Sequence, residues 1–242
     1  MKVYRTLVRL SSKNPFMLNE FSMDVPLNPS EDGGADEPVG PKRADARANR
    51  ALILETAEAL FAERGVEAVT MAHVAAAAGV GKGTLYRAVA NKGELCLALM
   101  DADLRAFQDE TLAMLRASRD RSALARLLDF LDRLTGFMDQ HGALMCEAEA
   151  HGIHWHIRPE INQTSLHDWF HATIRQLLLR ARVEGSVAAA GDVDYWTDAI
   201  LAPLIPRLFM HQRKHQGYSV EQISQILRAF VLQGIGGGLP LT

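Results

Sequence analysis

Thr70, Lys82, Gly83, Thr84, Tyr86, Arg87 and Lys92 lie close together in the chain and offer two aliphatic hydroxyls, a phenol and three cations. These are the donor types that hold phosphate oxygens and reach base edges in a groove of double-stranded DNA. The spacing puts Lys82 and Thr84 toward base edges or nearby phosphates, lets Gly83 bring backbone close, and gives the Tyr86 hydroxyl a phosphate to bind. Thr70 and Lys92 stand at the starts of two helices, where hydroxyl, ammonium and free backbone amides can hold the phosphate backbone. Most such contacts position the protein. Sequence choice then falls to a few side chains between Lys82 and Arg87.

The elements needed to present these residues are legible around them. Helices are expected at about 44–64, 70–78 and 82–89, with Leu52, Ile53, Ala57, Leu60 and Phe61 at helical spacing and Gly65 as a stop. Ala75 and Ala78 allow two helices to cross closely, Gly79 suits the left-handed backbone of a tight turn, and Val74, Val80 and Leu85 fill the wedge between them. The second helix of this pair would enter a major groove by its N-terminal end. An ordinary alanine-rich helical hairpin explains the alanines. It leaves the order Gly79-Val80-Gly81-Lys82-Gly83-Thr84 unexplained. Charge supports the nucleic-acid reading only locally: the chain carries a net −3, yet residues 42–100 hold eight Lys/Arg against six Asp/Glu, while the segments on either side are acidic.

The fold class is all-α, since Ala, Leu, Arg and Glu dominate from Ala46 onward and strand-like alternation is nearly absent. Three regions are expected: a disordered leader over 1–41, rich in Pro and acidic residues, a helix-turn-helix domain over 44–104, and a C-terminal helical domain over 105–242. Met17 and Met23 are alternative starts. Further helices are expected at about 91–116, 121–139, 142–153, 159–183, 193–214 and 219–235, with Asn91/Glu94 and Ser219/Gln222 as capping pairs and a bend at Pro203 and Pro206. Cys96 and Cys146 match no metal or redox spacing and read as buried thiols. There is no apolar run of about 18 residues and no signal-peptide core, so no membrane partner is expected and the cytoplasm is the default.

From Arg50 to Met100, the residues Ile53-Leu54, Ala57, Leu60-Phe61, Gly65, Thr70, Val74-Ala75, Ala78-Gly79-Val80, Gly83-Thr84-Leu85-Tyr86, Lys92 and Leu95 closely resemble the N-terminal domain of TetR-type repressors. The resemblance implies a homodimer that binds a palindromic operator and represses until a small-molecule effector enters its C-terminal domain. Two positions depart from the family: Ala88-Val89 stands where an aromatic or His-Phe pair follows the tyrosine, and Gly93 where an acidic residue follows the lysine. The first removes a phosphate contact and an aromatic packing group. Independently, Ile200, Leu204 and Leu208, and Ile223, Ile226, Leu227 and Phe230, form two apolar stripes suited to a four-helix interface or to a core within one chain.

An effector pocket is expected from Phe107, Met138, Met145, Trp155, Trp169 and Phe170, with histidines as polar anchors. Six of the nine histidines fall between residues 137 and 171. Glu147, His151 and His154 share a helix face, and His167 and His171 form an i, i+4 pair, which makes a metal-responsive regulator the alternative. No cysteine accompanies them, so no metal and no cofactor is assigned. A helical metal-assisted hydrolase is the reading from another class, but no HExxH, nucleophile elbow or paired catalytic set supports it, and no catalytic residue or enzyme activity is assigned. A ligand-independent interaction module is the third.

Overall fold

The computed structural model describes residues 41–153, 166–187 and 191–234, with side chains from residue 45 onward. The leader up to residue 40, together with His154 and Trp155, lies outside the described residues. All regular structure among the described residues is helical: α1 (Pro41–Arg64), α2 (Met71–Ala77), α3 (Lys82–Ala88), α4 (Lys92–Ala117), α5 (Ala123–Ala150), α6 (Leu166–Val183), α7 (Val193–Leu201), a 3-10 turn (Ala202–Leu204), α8 (Pro206–Lys214) and α9 (Val220–Gly234).

The first three helices close on a small core of Ile53, Ala57, Val74, Ala75, Leu85 and Val89. Each start is fixed locally. Thr70 caps α2 by accepting from the His73 amide, while His73 Nδ1 accepts from the Thr70 amide; Asn91 caps α4 by accepting from the Glu94 amide at 2.9 Å. Gly79, at φ +64°, supplies the left-handed step between α2 and α3.

Helix α4 leaves this small core and enters the larger one. Its Phe107 ring lies 4.7 Å from Phe137, 6.1 Å from Trp169 and 6.1 Å from Phe170, so that one side chain joins α4, α5 and α6. Aromatic contacts at these separations contribute beyond the area they bury. At its other end α4 is held by a buried ion pair, Lys92 Nζ to Glu147 Oε1 at 3.0 Å, with both side chains at least 86% covered.

Two element boundaries differ from the sequence expectation. Where two helices were expected at 121–139 and 142–153, α5 runs unbroken from Ala123 to Ala150 through Gly142, because that glycine serves a crossing and not a stop: a Cβ there would sit 2.8 Å from Met210 Sδ of α8. The expected bent helix at 193–214 is instead broken in two. Pro206 drives the preceding Ile205 to an extended conformation, φ −58° and ψ 130°, which ends the 3-10 turn and restarts the chain at the first position of α8.

Because both members of the Lys92–Glu147 pair are largely covered, Glu147→Ala strands an ammonium in the interior. A loss of about 3–5 kcal/mol is expected for such a change, read from the urea midpoint. Replacing both partners together, Lys92→Met with Glu147→Leu, should recover most of that loss.

Candidate nucleic-acid interface and ligand cavities

Helix α3 buries only Leu85, which is 1% exposed, and leaves Lys82, Gly83, Tyr86 and Arg87 on open surface with Thr84 half-buried. Tyr86 is 51% exposed, an unusual placement for an aromatic ring with an adjacent core available. Arg87 folds back along its own helix, its Nε donating to the Gly83 carbonyl at 3.0 Å and Nη2 to Thr84 Oγ1 at 3.4 Å. The cation is thereby held beside Thr84. Thr70 is exposed at the start of α2, its hydroxyl engaged in the cap. Val74 and Leu85 are both buried in the core that carries these helices.

Lys92 does not join that surface. Its side chain turns inward to Glu147, so its ammonium is committed within the protein and not presented to a phosphate. Sequence position alone could not show this, because the partner lies 55 residues away along the chain on α5. The same packing accounts for Gly93: a Cβ at this position would lie 2.7 Å from His151 Cβ and 3.1 Å from Ile153 Cδ1. The acidic residue expected there by resemblance has no room. Val89, the other departure, is 3% exposed and completes the small core.

The expected effector residues divide among three places. Met138, Met145 and Phe170 line a cavity between α5, α6 and α7, but its volume is only ≈ 20 Å³, little more than one water molecule occupies. Trp169 packs in the aromatic cluster around Phe107 and Phe130. Phe107 instead lines a groove of ≈ 340 Å³ between α4 and α5, together with Asp103, Glu110, Arg133, Phe137 and His141. Sequence reasoning missed five of these six. Their signal was present, since Asp103, Phe107 and Glu110 repeat at i, i+4, i+7 on α4 and Arg133, Phe137 and His141 at i, i+4, i+8 on α5, but which faces meet is a tertiary fact.

The histidines do not converge. Glu147 and His151 belong to the Lys92 joint, with His151 Nδ1 3.0 Å from the Glu147 carbonyl, whereas His171 faces Asp198 on α7 at 3.4 Å and lies beside His167. Among the described residues no group of three His, Cys, Asp or Glu side chains could hold a metal ion. Burial pushes the Cys96 thiol up to about 12 and the Cys146 thiol to about 11, so neither is a nucleophile at neutral pH. No helix of the described residues is long and apolar enough to cross a membrane.

A short helix crossed over a glycine turn, with cationic and hydroxyl side chains standing out from the second helix, defines a helix-turn-helix protein. Residues 53–99 match the family of bacterial regulatory proteins, tetR family. HTH-type transcriptional regulators of Staphylococcus aureus are 45% identical over 65 residues, which is 27% of this chain and 35% of theirs, so the match spans about a third of the length of those curated relatives. Two solved structures share the fold over most of the chain. One is a protein from Saccharomonospora viridis in complex with choline, with a TM-score of 0.59 and 20% identity over 79% of this chain and 99% of that one. The other is NalD of Pseudomonas aeruginosa, described as the secondary repressor of a multidrug efflux pump, with a TM-score of 0.55 and 18% identity over 81% of this chain and 100% of that one. The likeness to the tetR family thus rests on residues 53–99, the helix-turn-helix segment.

Two outcomes follow for stability. Gly93→Ala forces α4 away from His151 and should cost about 1–3 kcal/mol, as overpacking of a tight site does, read by chemical denaturation. His141 is 4% exposed, and burial lowers its pKa below the usual 6.5, against a smaller opposing effect of Asp103. The unfolded chain therefore takes up this proton first, so stability is present in full above pH 6.5 and falls as pH drops below it. His141→Gln should flatten the decline in Tm between about pH 7 and pH 5.5; an unchanged slope would exclude His141 as the cause.

Proposed function

We propose that the protein is a DNA-binding transcriptional regulator, a cytoplasmic homodimeric repressor that holds a palindromic operator and is released when a small-molecule effector binds. In this reading residues 44–104 bind DNA and residues 105–242 bind the effector and form the dimer. The observation that carries it is the exposed Lys82–Arg87 face of α3, set on a buried Val74–Leu85 wedge within the segment that matches the tetR family. Lys82, Gly83, Thr84, Tyr86, Arg87 and Thr70 are the contacts to DNA. Lys92 acts indirectly, by fixing the angle at which α3 is presented.

The apolar stripes of the last helices support the dimer in part. Ile200, Leu204, Ile223 and Leu227 are buried in the chain's own core, but Leu208, Ile226 and Phe230 are 42%, 56% and 46% exposed. A second copy would cover them, and a two-fold arrangement matches a palindromic site. The repressor role is supported by NalD, and a small-molecule effector by the choline complex of the Saccharomonospora protein. No activity as an enzyme is proposed.

The test is a mobility-shift or footprinting assay on DNA flanking the protein's own gene. Lys82→Ala and Tyr86→Ala should each weaken binding by about tenfold or more, the loss typical of a hydrogen bond to a charged group, without changing Tm. Binding should fall with salt at a log–log slope of about −0.9 per phosphate neutralised, and Lys82→Ala should reduce that slope by about one. Salt-insensitive binding, or two variants that bind like the native chain, would sink the assignment of α3 as the reading helix.

A further inference from the structure

We propose that the groove between α4 and α5 binds a small organic cation, an amine or ammonium carried on a compact apolar body. The site deepens the effector part of the proposed function and depends on that reading only for its regulatory consequence.

The groove has the volume of a small-ligand site: ≈ 340 Å³, near the lower end of the range of roughly 300–1,000 Å³ that such sites occupy. Its floor is aromatic. The Phe107 and Phe137 rings are 4.7 Å apart and Phe137 lies 4.5 Å from His141, giving a continuous row of flat surfaces. His141 is 4% exposed, and neither of its ring nitrogens has a hydrogen-bond partner in the protein. Nδ1 and Nε2 are both capable of bonding, and Nε2 stops 3.6 Å from Asp103 Oδ2, beyond a hydrogen bond. A buried polar ring left without a protein partner and lining a groove calls for a group from outside.

Charge selects the class of molecule. Glu110 is neutralised by Arg133, whose Nη2 donates to it at 2.7 Å while the guanidinium lies 5.9 Å from the centre of the Phe107 ring. No lysine or arginine of the described residues forms an ion pair with Asp103, and burial lowers the pKa of His141, which stands 3.6 Å from it. The groove thus keeps one uncompensated negative charge. An anion would meet Asp103 and Glu110 and find Arg133 already engaged. A wholly apolar compound would cover the exposed Asp103 carboxylate without replacing its water and would leave the His141 nitrogens unpartnered. A cation with an apolar flank meets each feature: the charge lies by Asp103, an N–H or hydroxyl reaches His141, and the body rests on Phe107 and Phe137. Because Phe107 sits on the helix that begins at Lys92, occupancy bears directly on α4.

Isothermal titration of the full chain, off DNA, tests the site with choline, benzyltrimethylammonium and phenethylamine against 3,3-dimethylbutan-1-ol, the uncharged isostere of choline, and benzoate. At least one cation should bind once per chain, tenfold or more tighter than the neutral and anionic probes. Asp103→Asn should weaken that binding at least tenfold and leave Tm unchanged, since the carboxylate is half exposed. Failure of all three cations, equal binding of the isostere or benzoate, or an indifferent Asp103→Asn would overturn the site. Fluorescence anisotropy on operator DNA separates the two readings. A cation that binds as expected without releasing DNA leaves the site standing and removes its effector role; DNA held with no cation bound removes the site and leaves the regulator.

Discussion

The Lys92–Glu147 ion pair joins the two packing units that helix α4 shares. The first turn of α4 completes the small core under α3, and its middle, at Phe107, is enclosed by α5 and α6. A pair this well covered tolerates little displacement, because separating the charges leaves each without water. Gly93 reinforces it sterically, allowing the start of α4 to press against His151 and Ile153. The orientation of α3 relative to the rest of the chain therefore rests on a contact that no residue of α3 itself makes. A second tie, Lys214 of α8 to Glu67 in the α1–α2 connection at 3.1 Å, is exposed and contributes little on its own.

That joint changes what the family resemblance means for this chain. The lysine at position 92 has the expected type and sequence place, yet its charge is spent internally. The glycine at 93 and the Ala88-Val89 pair look like losses of function when read along the sequence. In three dimensions they are packing solutions: Val89 closes the small core and Gly93 opens the space that His151 and Ile153 occupy. In the proposed regulator the surface offered to DNA is consequently confined to Lys82–Arg87 and Thr70.

In the proposed regulator the groove on α4 and α5 and the Lys92 joint lie on the same two helices, at Asp103–Glu110 and Lys92 on one, and at Arg133–His141 and Glu147 on the other. A ligand that separates or draws together these helices at Phe107 acts on a rigid lever, since α4 is an unbroken helix of 26 residues. An effector needs only to favour one spacing of α4 and α5 over another to bias the placement of α3.

The sequence alone determined the all-α class, the helix-turn-helix and most helix ends, because these depend on local causes: periodicity, the caps at Thr70, Asn91 and Ser219, and the left-handed turn at Gly79. It also marked Lys82, Gly83, Tyr86 and Arg87, whose exposure follows from the helix phase once Leu85 is buried. Only the tertiary structure decided the rest. Whether Gly142 ends a helix or admits a neighbour, whether Lys92 meets a phosphate or Glu147, and which of the aromatic residues border open space all depend on partners far away in sequence. Helical spacing says that residues share a face; what that face meets is set by how the helices pack.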